Sequence, residues 1–269
     1  MAGFFVLLQR LVPQHLLSRL IGVIASSRLG FIKRPFIHLF IRAYGVNMAE
    51  ALRPEEDYAC FNDFFTRALK DGARPVSGTI SSPADGAISQ LGHIDGNQLL
   101  QAKGVTYSLE KLLGESATRF HNGSFATIYL SPKDYHRVHM PIAGDLQRAR
   151  YIPGRLFSVN AATTLRVPDL FAVNERLVLW FETHLGPFVV IMVGAMIVAG
   201  IRPVWRDAAY EPGVIQDEVF NTPMPFQQGQ ELGQFELGST AIIVSSVPLD
   251  FCGGPGDTIR MGEPLVNNS

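Results

Sequence analysis

Before Glu50 this chain carries no acidic residue, although Arg10, Arg19, Arg28, Lys33, Arg34 and Arg42 all fall there. Cysteine is almost as scarce: Cys60 and Cys252 stand alone, and neither belongs to a Cys-x-x-Cys pair. That argues against a cysteine metal site or a disulfide framework, fits a reducing compartment, and leaves one pairing, Cys60 with Cys252, to be decided. Residues 3–27 contain no uninterrupted apolar run of the roughly 18–20 residues needed to span a bilayer. A secretory signal is not expected either, because positive charge follows the first apolar stretch and no small-residue cleavage site is evident. With a formal net charge of −1, the whole chain offers no argument for nucleic acid.

What is present is apolar: 47% of the 269 residues are hydrophobic and 17% charged, enough for a substantial core in one large domain or a domain with an appendage. Across 3–27 apolar residues recur at helical spacing between Gln9, Arg10, Gln14, Ser18 and Arg19, and Pro13 reads as the start of a second helix. A third helical segment is expected over 35–44. Short, basic, acid-free amphipathic helices predict contact with the headgroup plane of anionic lipid. Phe61-Asn62-Asp63-Phe64-Phe65-Thr66-Arg67 reads as an aromatic-rich helix whose phenylalanines pack a core.

Past Arg74-Pro75 the texture changes to short Val/Ile/Leu/Phe runs between Gly/Pro turns, predicting strands over 88–94, 125–130, 177–182, 188–201 and 241–247. Residues 185–201 are free of charge, but Pro187, Gly194 and Gly200 and the Val/Ile content favour buried strands over a spanning helix. A faint echo between Pro83-Ala84-Asp85-Gly86-Ala87-Ile88 and Pro141-Ile142-Ala143-Gly144-Asp145-Leu146 suits repeated turn-and-strand units. The predicted fold is therefore α+β: a helical, membrane-contacting region at 1–74, then a mostly-β, barrel- or sandwich-like domain at 75–269.

Three stretches carry candidate chemistry. Leu237-Gly238-Ser239-Thr240, ahead of Ala241-Ile242-Ile243-Val244, reads first as a turn feeding a buried strand. Asp85 precedes Gly86 in a turn setting where Asp caps its own backbone, yet a carboxylate also orients and supports a histidine. His136 and His139 lie in Tyr135-His136-Arg137-Val138-His139-Met140-Pro141 with no third His or Cys nearby, so no metal site is expected. On a regular strand their spacing of three sends the two rings to opposite faces. A hydrolase would use Ser239 with His139 and Asp85, but the Gly-x-Ser-x-Gly elbow is absent. Alternatively Ser239 attacks its own chain: Gly238 removes bulk beside its carbonyl for an N-to-O acyl shift, and elimination of the ester leads through dehydroalanine to a pyruvoyl group.

Taken together, the Leu-Gly-Ser-Thr and His-Arg-Val-His elements, Pro83-Ala84-Asp85-Gly86, the 61–67 segment and Gly229-x-Glu231-Leu232-Gly233-x-Phe235 resemble the phosphatidylserine decarboxylase family, bacterial type, over nearly the whole chain. The resemblance implies that Asp85 and His139 activate Ser239 to break the Gly238–Ser239 bond. Large (1–238) and small (239–269) chains would result, held as a heterodimer or a dimer of it. The cofactor is then pyruvate, as a covalent pyruvoyl group made from Ser239, which forms a Schiff base with the amine of phosphatidylserine and acts as the electron sink of decarboxylation. His136 is the candidate for handling a proton in that step, with support of its own turn as the alternative. Peripheral attachment to the cytoplasmic face of the inner membrane gives the basic N-terminus its purpose. The competing readings are a membrane-surface Ser/His/Asp hydrolase, a soluble pyruvoyl decarboxylase of a small amino acid, and a lipoyl-domain-like binding module.

Overall fold

The computed structural model describes residue 9 and residues 21–102, 104–195, 200–236 and 239–267. Most of the segment read as two N-terminal helices thus lies outside the described residues, apart from the helical turn at 21–25. Helix α1 (Gly30–Tyr44) follows, closed by Gly45 in the left-handed region with its N–H on the Ile41 carbonyl. It packs on α2 (Phe61–Phe65): Phe36 stacks on Phe61 at 4.2 Å, and Phe40 meets Phe61, Phe64 and Phe65 edge-on. Tyr58 and Ile37 complete this small aromatic core, so the phenylalanines of 61–67 do pack as expected.

The β region comprises β1 (Ile80–Ser81), β2 (Gly86–His93), β3 (Gln98–Ala102), β4 (Val105–Ser108), β5 (Ser124–Leu130), β6 (Arg137–His139), β7 (Gly144–Ile152), β8 (Arg176–Thr183), β9 (Gly186–Gly194), β10 (Ile201–Pro203), β11 (Gln216–Phe226), β12 (Glu231–Phe235), β13 (Ser239–Ser245), β14 (Thr258–Ile259) and β15 (Pro264–Val266). Short helices α3 (Leu109–Leu113), α4 (Ala161–Thr164) and α5 (Leu170–Val173) interrupt it. The fold is mostly β with some helices. Eight strands form one antiparallel sheet in the order β11-β7-β8-β9-β13-β5-β2-β14, and smaller sheets pair β10-β12-β6 and β1-β15. The expected barrel does not close: the large sheet ends in two separate edges, β11 and β14.

The reason lies in the strands themselves. In β9, Phe188, Val190 and Met192 face one core while Val189, Ile191 and Val193 face another, and all six are buried. β13 divides likewise, Ala241 and Ile243 from Ile242 and Val244. A strand apolar on both sides needs cover on both sides, so the sheet stays open between two layers. One layer is the small sheets, through Val138, Ile201, Leu232, Phe235 and Leu265. The other is α3, α5 and the β3–β4 hairpin, through Leu99, Tyr107, Leu112, Leu113 and Phe171. The outer strand β11 carries Asp217, Glu218, Pro223 and Pro225 and an irregular register between Val219 and Met224, features that discourage pairing with another chain.

Core position and edge position predict unequal costs. Phe188→Ala, at a side chain 1% exposed in β9, should lower unfolding free energy by about 3–5 kcal/mol, whereas Val219→Ala, at 69% exposure on β11, should change it by less than about 0.5 kcal/mol. Urea denaturation of the two variants checks this; comparable losses would contradict the two-faced burial of β9.

Candidate active site

Sheet register brings two of the three candidate stretches together. Thr240 of β13 and Ala87 of β2 are both partners of Tyr129 on the intervening β5, and Ser239 is the partner of Leu130. Ser239 and Gly86 therefore flank the same end of β5, about 10 Å apart across two strand spacings. On its other side Ser239 is registered with Gly194, which puts no side chain beside it. Leu237 and Gly238, the carbonyl side of the expected break, lie outside the described residues.

Asp85 enters this row from the turn before β2. A Cβ on Gly86 would stand 2.2 Å from the Tyr129 carbonyl oxygen, so only glycine lets β2 approach β5 this closely at that point. The Asp85 carboxylate is occupied: Arg74 donates from Nε to Oδ1 at 2.8 Å and from Nη2 to Oδ2 at 2.6 Å, and the Met261 N–H donates to Oδ1 at 2.8 Å. Arg74 Nη2 also reaches Glu50 at 2.9 Å, and Arg260 reaches the other Glu50 oxygen at 3.2 Å. The Asp85 pair holds the Arg74 guanidinium above its usual range despite burial.

His139 closes β6, whose last backbone N–H donates to the Pro83 carbonyl at 2.8 Å, two residues from Asp85. Its Nδ1 lies 2.8 Å from the Gly229 carbonyl and its Nε2 3.0 Å from the Tyr135 hydroxyl. A carbonyl only accepts, so Nδ1 carries the proton and Nε2 offers its lone pair to the Tyr135 O–H. Gly229 holds that carbonyl in place from a left-handed conformation (φ 80°), where a Cβ would strike Val76 at 2.5 Å. Burial pushes the His139 pKa down, while the Gly229 carbonyl and the charges of Glu231 and Asp85 work against that. Asp85 and His139 are thus neighbours in field; the hydrogen bonds described for them go to Arg74 and Met261 in one case and to Gly229 and Tyr135 in the other.

His136 has different surroundings. It is fully buried, stacked on Phe65 at 4.0 Å, and its Nε2 lies 3.1 Å from the Ser131 carbonyl. Burial, then the nearby Arg67 charge, lowers its pKa to about 3, so it is neutral at physiological pH. The spacing of three does separate the two rings, one against α2 and one toward Gly229.

Beside Asp85 opens a cleft of about 540 Å³, whose wall includes Tyr129, Ser131 and Tyr135 and four cations, Arg67, Arg74, Lys133 and Arg260. Gly45 and Asn47, which directly follow α1, also line it. Sequence reasoning did not single out Arg74, Tyr135, Gly229 or Arg67 as members of the site. Tyr135, Arg67 and Gly229 stand inside stretches that carry the family resemblance, without a role of their own being read there; Arg74 has no such signal. The arrangement supplies a neutral imidazole whose Nε2 lone pair accepts from the Tyr135 hydroxyl, a fixed carboxylate that favours charging it, and a cleft lined by charges of both signs.

A family model described as "Phosphatidylserine decarboxylase" matches residues 61–267, and a second, described only as "PSD", matches residues 4–45. Relatives named "Phosphatidylserine decarboxylase proenzyme" include one from Pseudomonas putida, 50% identical with 97% of this chain and 96% of the relative covered. Another from Saccharophagus degradans is 53% identical, covering 89% and 87%. One from Hahella chejuensis is 51% identical, covering 89% and 84%.

The burial of His136 has a measurable consequence. Unfolded, the ring takes a proton near pH 6.5; folded, it does so only near pH 3. Between those values the unfolded chain binds more protons, so stability should fall as pH falls, by about 1.4 kcal/mol per pH unit from this group. Urea midpoints between pH 7.5 and 5 should show a shallower decline in His136→Gln than in the parent; equal slopes would place the ring in solvent.

Proposed function

Because this chain belongs to the phosphatidylserine decarboxylase family, we propose that it is a proenzyme that cuts itself between Gly238 and Ser239 and then converts phosphatidylserine to phosphatidylethanolamine and carbon dioxide. The observation that carries this reading is the position of Ser239. It is the first residue of a central strand, at the same sheet end as Asp85 and its ionic cleft.

In maturation His139 is the base. Its Nε2 takes the Ser239 hydroxyl proton, with the Tyr135 hydroxyl that now rests on that nitrogen yielding it or relaying the proton. The Asp85 charge supports the imidazolium that results, and Arg74 holds that carboxylate in place. The serine oxygen adds to the Gly238 carbonyl carbon as the C–N bond breaks and the amine takes a proton. Loss of the Cα proton then expels the Gly238 carboxylate and leaves dehydroalanine; addition of water and release of ammonia complete the pyruvoyl group.

The residues present fit that group. Ser239 is held through its backbone by β5 and β9, Gly194 beside it carries no side chain, and the cleft opens at the same end of the sheet, beside Asp85. Once formed, the pyruvoyl ketone supplies the electron sink that takes up the electron pair of the breaking C–C bond after condensing with the substrate amine. His136 serves this second reaction. Neutral and immobilised on Phe65, it acts through the wall of the cleft, by holding the Ser131 carbonyl in the turn that also presents Tyr135. That support is favoured over direct proton transfer by its full burial.

Residues 1–74 bring the site to the lipid and 75–269 supply the catalytic core. Leu29, Phe31 and Leu39 are exposed beside the basic Arg28, Lys33, Arg34 and Arg42, and among the described residues no helix is long and apolar enough to cross a membrane. This supports peripheral binding at an anionic surface, assigned here to the cytoplasmic face of the inner membrane. Chains 1–238 and 239–269 stay together as a heterodimer.

Denaturing electrophoresis with intact mass should find fragments 1–238 and 239–269, the smaller without a free amine. A single uncleaved chain in active enzyme would sink the reading in favour of a hydrolase. Ser239→Ala should abolish both cleavage and decarboxylation, and His139→Ala or Asp85→Asn should slow cleavage by about 10²–10⁴-fold; normal maturation in either would remove that residue from the role. Deleting residues 1–27 should leave self-cleavage intact but lower turnover on anionic vesicles about tenfold or more, and unchanged vesicle sedimentation would refute the membrane assignment.

A further inference from the structure

Arg67 is a charged group of the cleft wall to which the mechanism above gives no task. It is only 3% exposed, yet it lines the cleft beside Asp85. One nitrogen, Nη2, donates to the carbonyls of Lys133 at 2.8 Å and Asp134 at 3.2 Å, and the Phe64 ring lies 5.5 Å from the guanidinium carbon. Nε and Nη1 are buried without a hydrogen-bond partner among the described residues. Neighbouring carboxylates do not serve them. Asp134 accepts from the Ser131 N–H and hydroxyl, both at 2.7 Å, and Asp85 is held by Arg74. A buried cation with unfilled donors is unfavourable by itself and is retained where something completes it.

We propose that Arg67 is the anion subsite of this cleft, and that it takes the phosphodiester of the lipid headgroup through the donors that Nε and Nη1 leave unfilled. The inference rests on the phosphatidylserine reading and names the part of that substrate which the site grips. The substrate carries two anions, and the chemistry of the reaction chooses between them. Its carboxylate leaves as neutral carbon dioxide, so a cation paired to it would stabilise the ground state more than the transition state and slow the step. The phosphodiester keeps its charge throughout, and a cation there anchors the substrate at no cost to the barrier. Guanidinium, weakly hydrated and always charged, suits a buried phosphate contact better than an ammonium does. Lys133, exposed on the same wall, adds a second positive charge at the entrance.

The test uses the full chain carrying Ser239→Ala, which bypasses maturation, in the parent, Arg67→Lys and Arg67→Gln forms. Calorimetric titration compares sn-glycero-3-phosphoserine, inorganic phosphate and L-serine. The two phosphate-bearing probes should bind at least tenfold more weakly to Arg67→Gln, with an intermediate loss in Arg67→Lys and no matching change for L-serine. In matured enzyme Arg67→Lys should raise KM for phosphatidylserine at least tenfold while kcat changes less than threefold. Equal probe affinity in parent and variants overturns the assignment, as does failure of either phosphate probe to bind the parent. L-serine weakening in step with the phosphate probes also overturns it, by making Arg67 a carboxylate subsite. Thermal melts guard against misfolding, and should Arg67→Gln fail to fold, the charge-retaining Arg67→Lys form decides the outcome. Phosphatidylserine turnover by the wild type is measured alongside: its absence with Arg67-dependent phosphate binding intact would fail the decarboxylase reading and leave the anion subsite standing.

Discussion

A strand laddered along its whole length on both sides can be cut free at its head and remain where it is. β13 is such a strand: every residue from Ser239 to Ser245 has a register partner on β5 and another on β9. Its side chains from Ala241 to Val244 are shared between the two main cores. The covalent bond ahead of Ser239 is therefore not what holds the strand. Each buried aliphatic side chain contributes roughly 1.5–3 kcal/mol of burial, and the ladder leaves no backbone group of the strand to be solvated when the chain parts. Cleavage ahead of Ser239, as proposed, would turn the head of β13 into a chain end without rebuilding the core. A break placed within an edge strand such as β11 would expose one instead.

The second constraint is electrostatic. Arg74 ties Glu50, which follows α1, to Asp85, which precedes β2, while the Met261 N–H joins the same carboxylate from near the far end of the chain. The pair is largely buried, and its value lies less in net stability than in the arrangement it specifies: a carboxylate oriented within the field of His139. The same packing that desolvates His139 and lowers its pKa also fixes the Asp85 carboxylate, whose field opposes that shift. Arg67 is the mirror case, a cation from the same N-terminal segment whose fixed neighbours supply carbonyls but no carboxylate.

How much of this was legible depended on range. The helix over 35–44, the packing of Phe61, Phe64 and Phe65 and the strands around 125–130, 177–182 and 241–247 are written in local periodicity, and the structure has them with ends shifted by a few residues. The barrel expectation failed because short strands between turns do not say whether a sheet closes. The better signal was the unbroken apolar run Phe188-Val189-Val190-Ile191-Met192-Val193, which requires cover on both faces. Site residues followed the same rule. Asp85, His136, His139 and Ser239 stand in recognisable motifs. The carbonyl that sets the His139 tautomer comes from 90 positions away, and the carbonyls that hold Arg67 from 66 and 67. No window of sequence contains such pairs, and an isolated arginine before a proline, or at the end of an aromatic helix, carries no mark of the partner it will meet.

The N-terminal segment is then more than an anchor. α1 ends at Tyr44, and the residues directly after its Gly45 cap, through Asn47 and Glu50, form part of the cleft wall and of the Arg74 cluster. The exposed apolar side chains of α1 and the ionic cleft are consecutive stretches of one chain. Under the proposed membrane contact, a lipid held at α1 would find the cations of the cleft directly beyond the helix. The Gly45 turn, left-handed and free of neighbours at its Cβ position, is the joint between them. If α1 meets lipid as proposed, the helix at the surface and the wall of the cleft are adjacent stretches of one chain, with Gly45 and Asn47 at their junction.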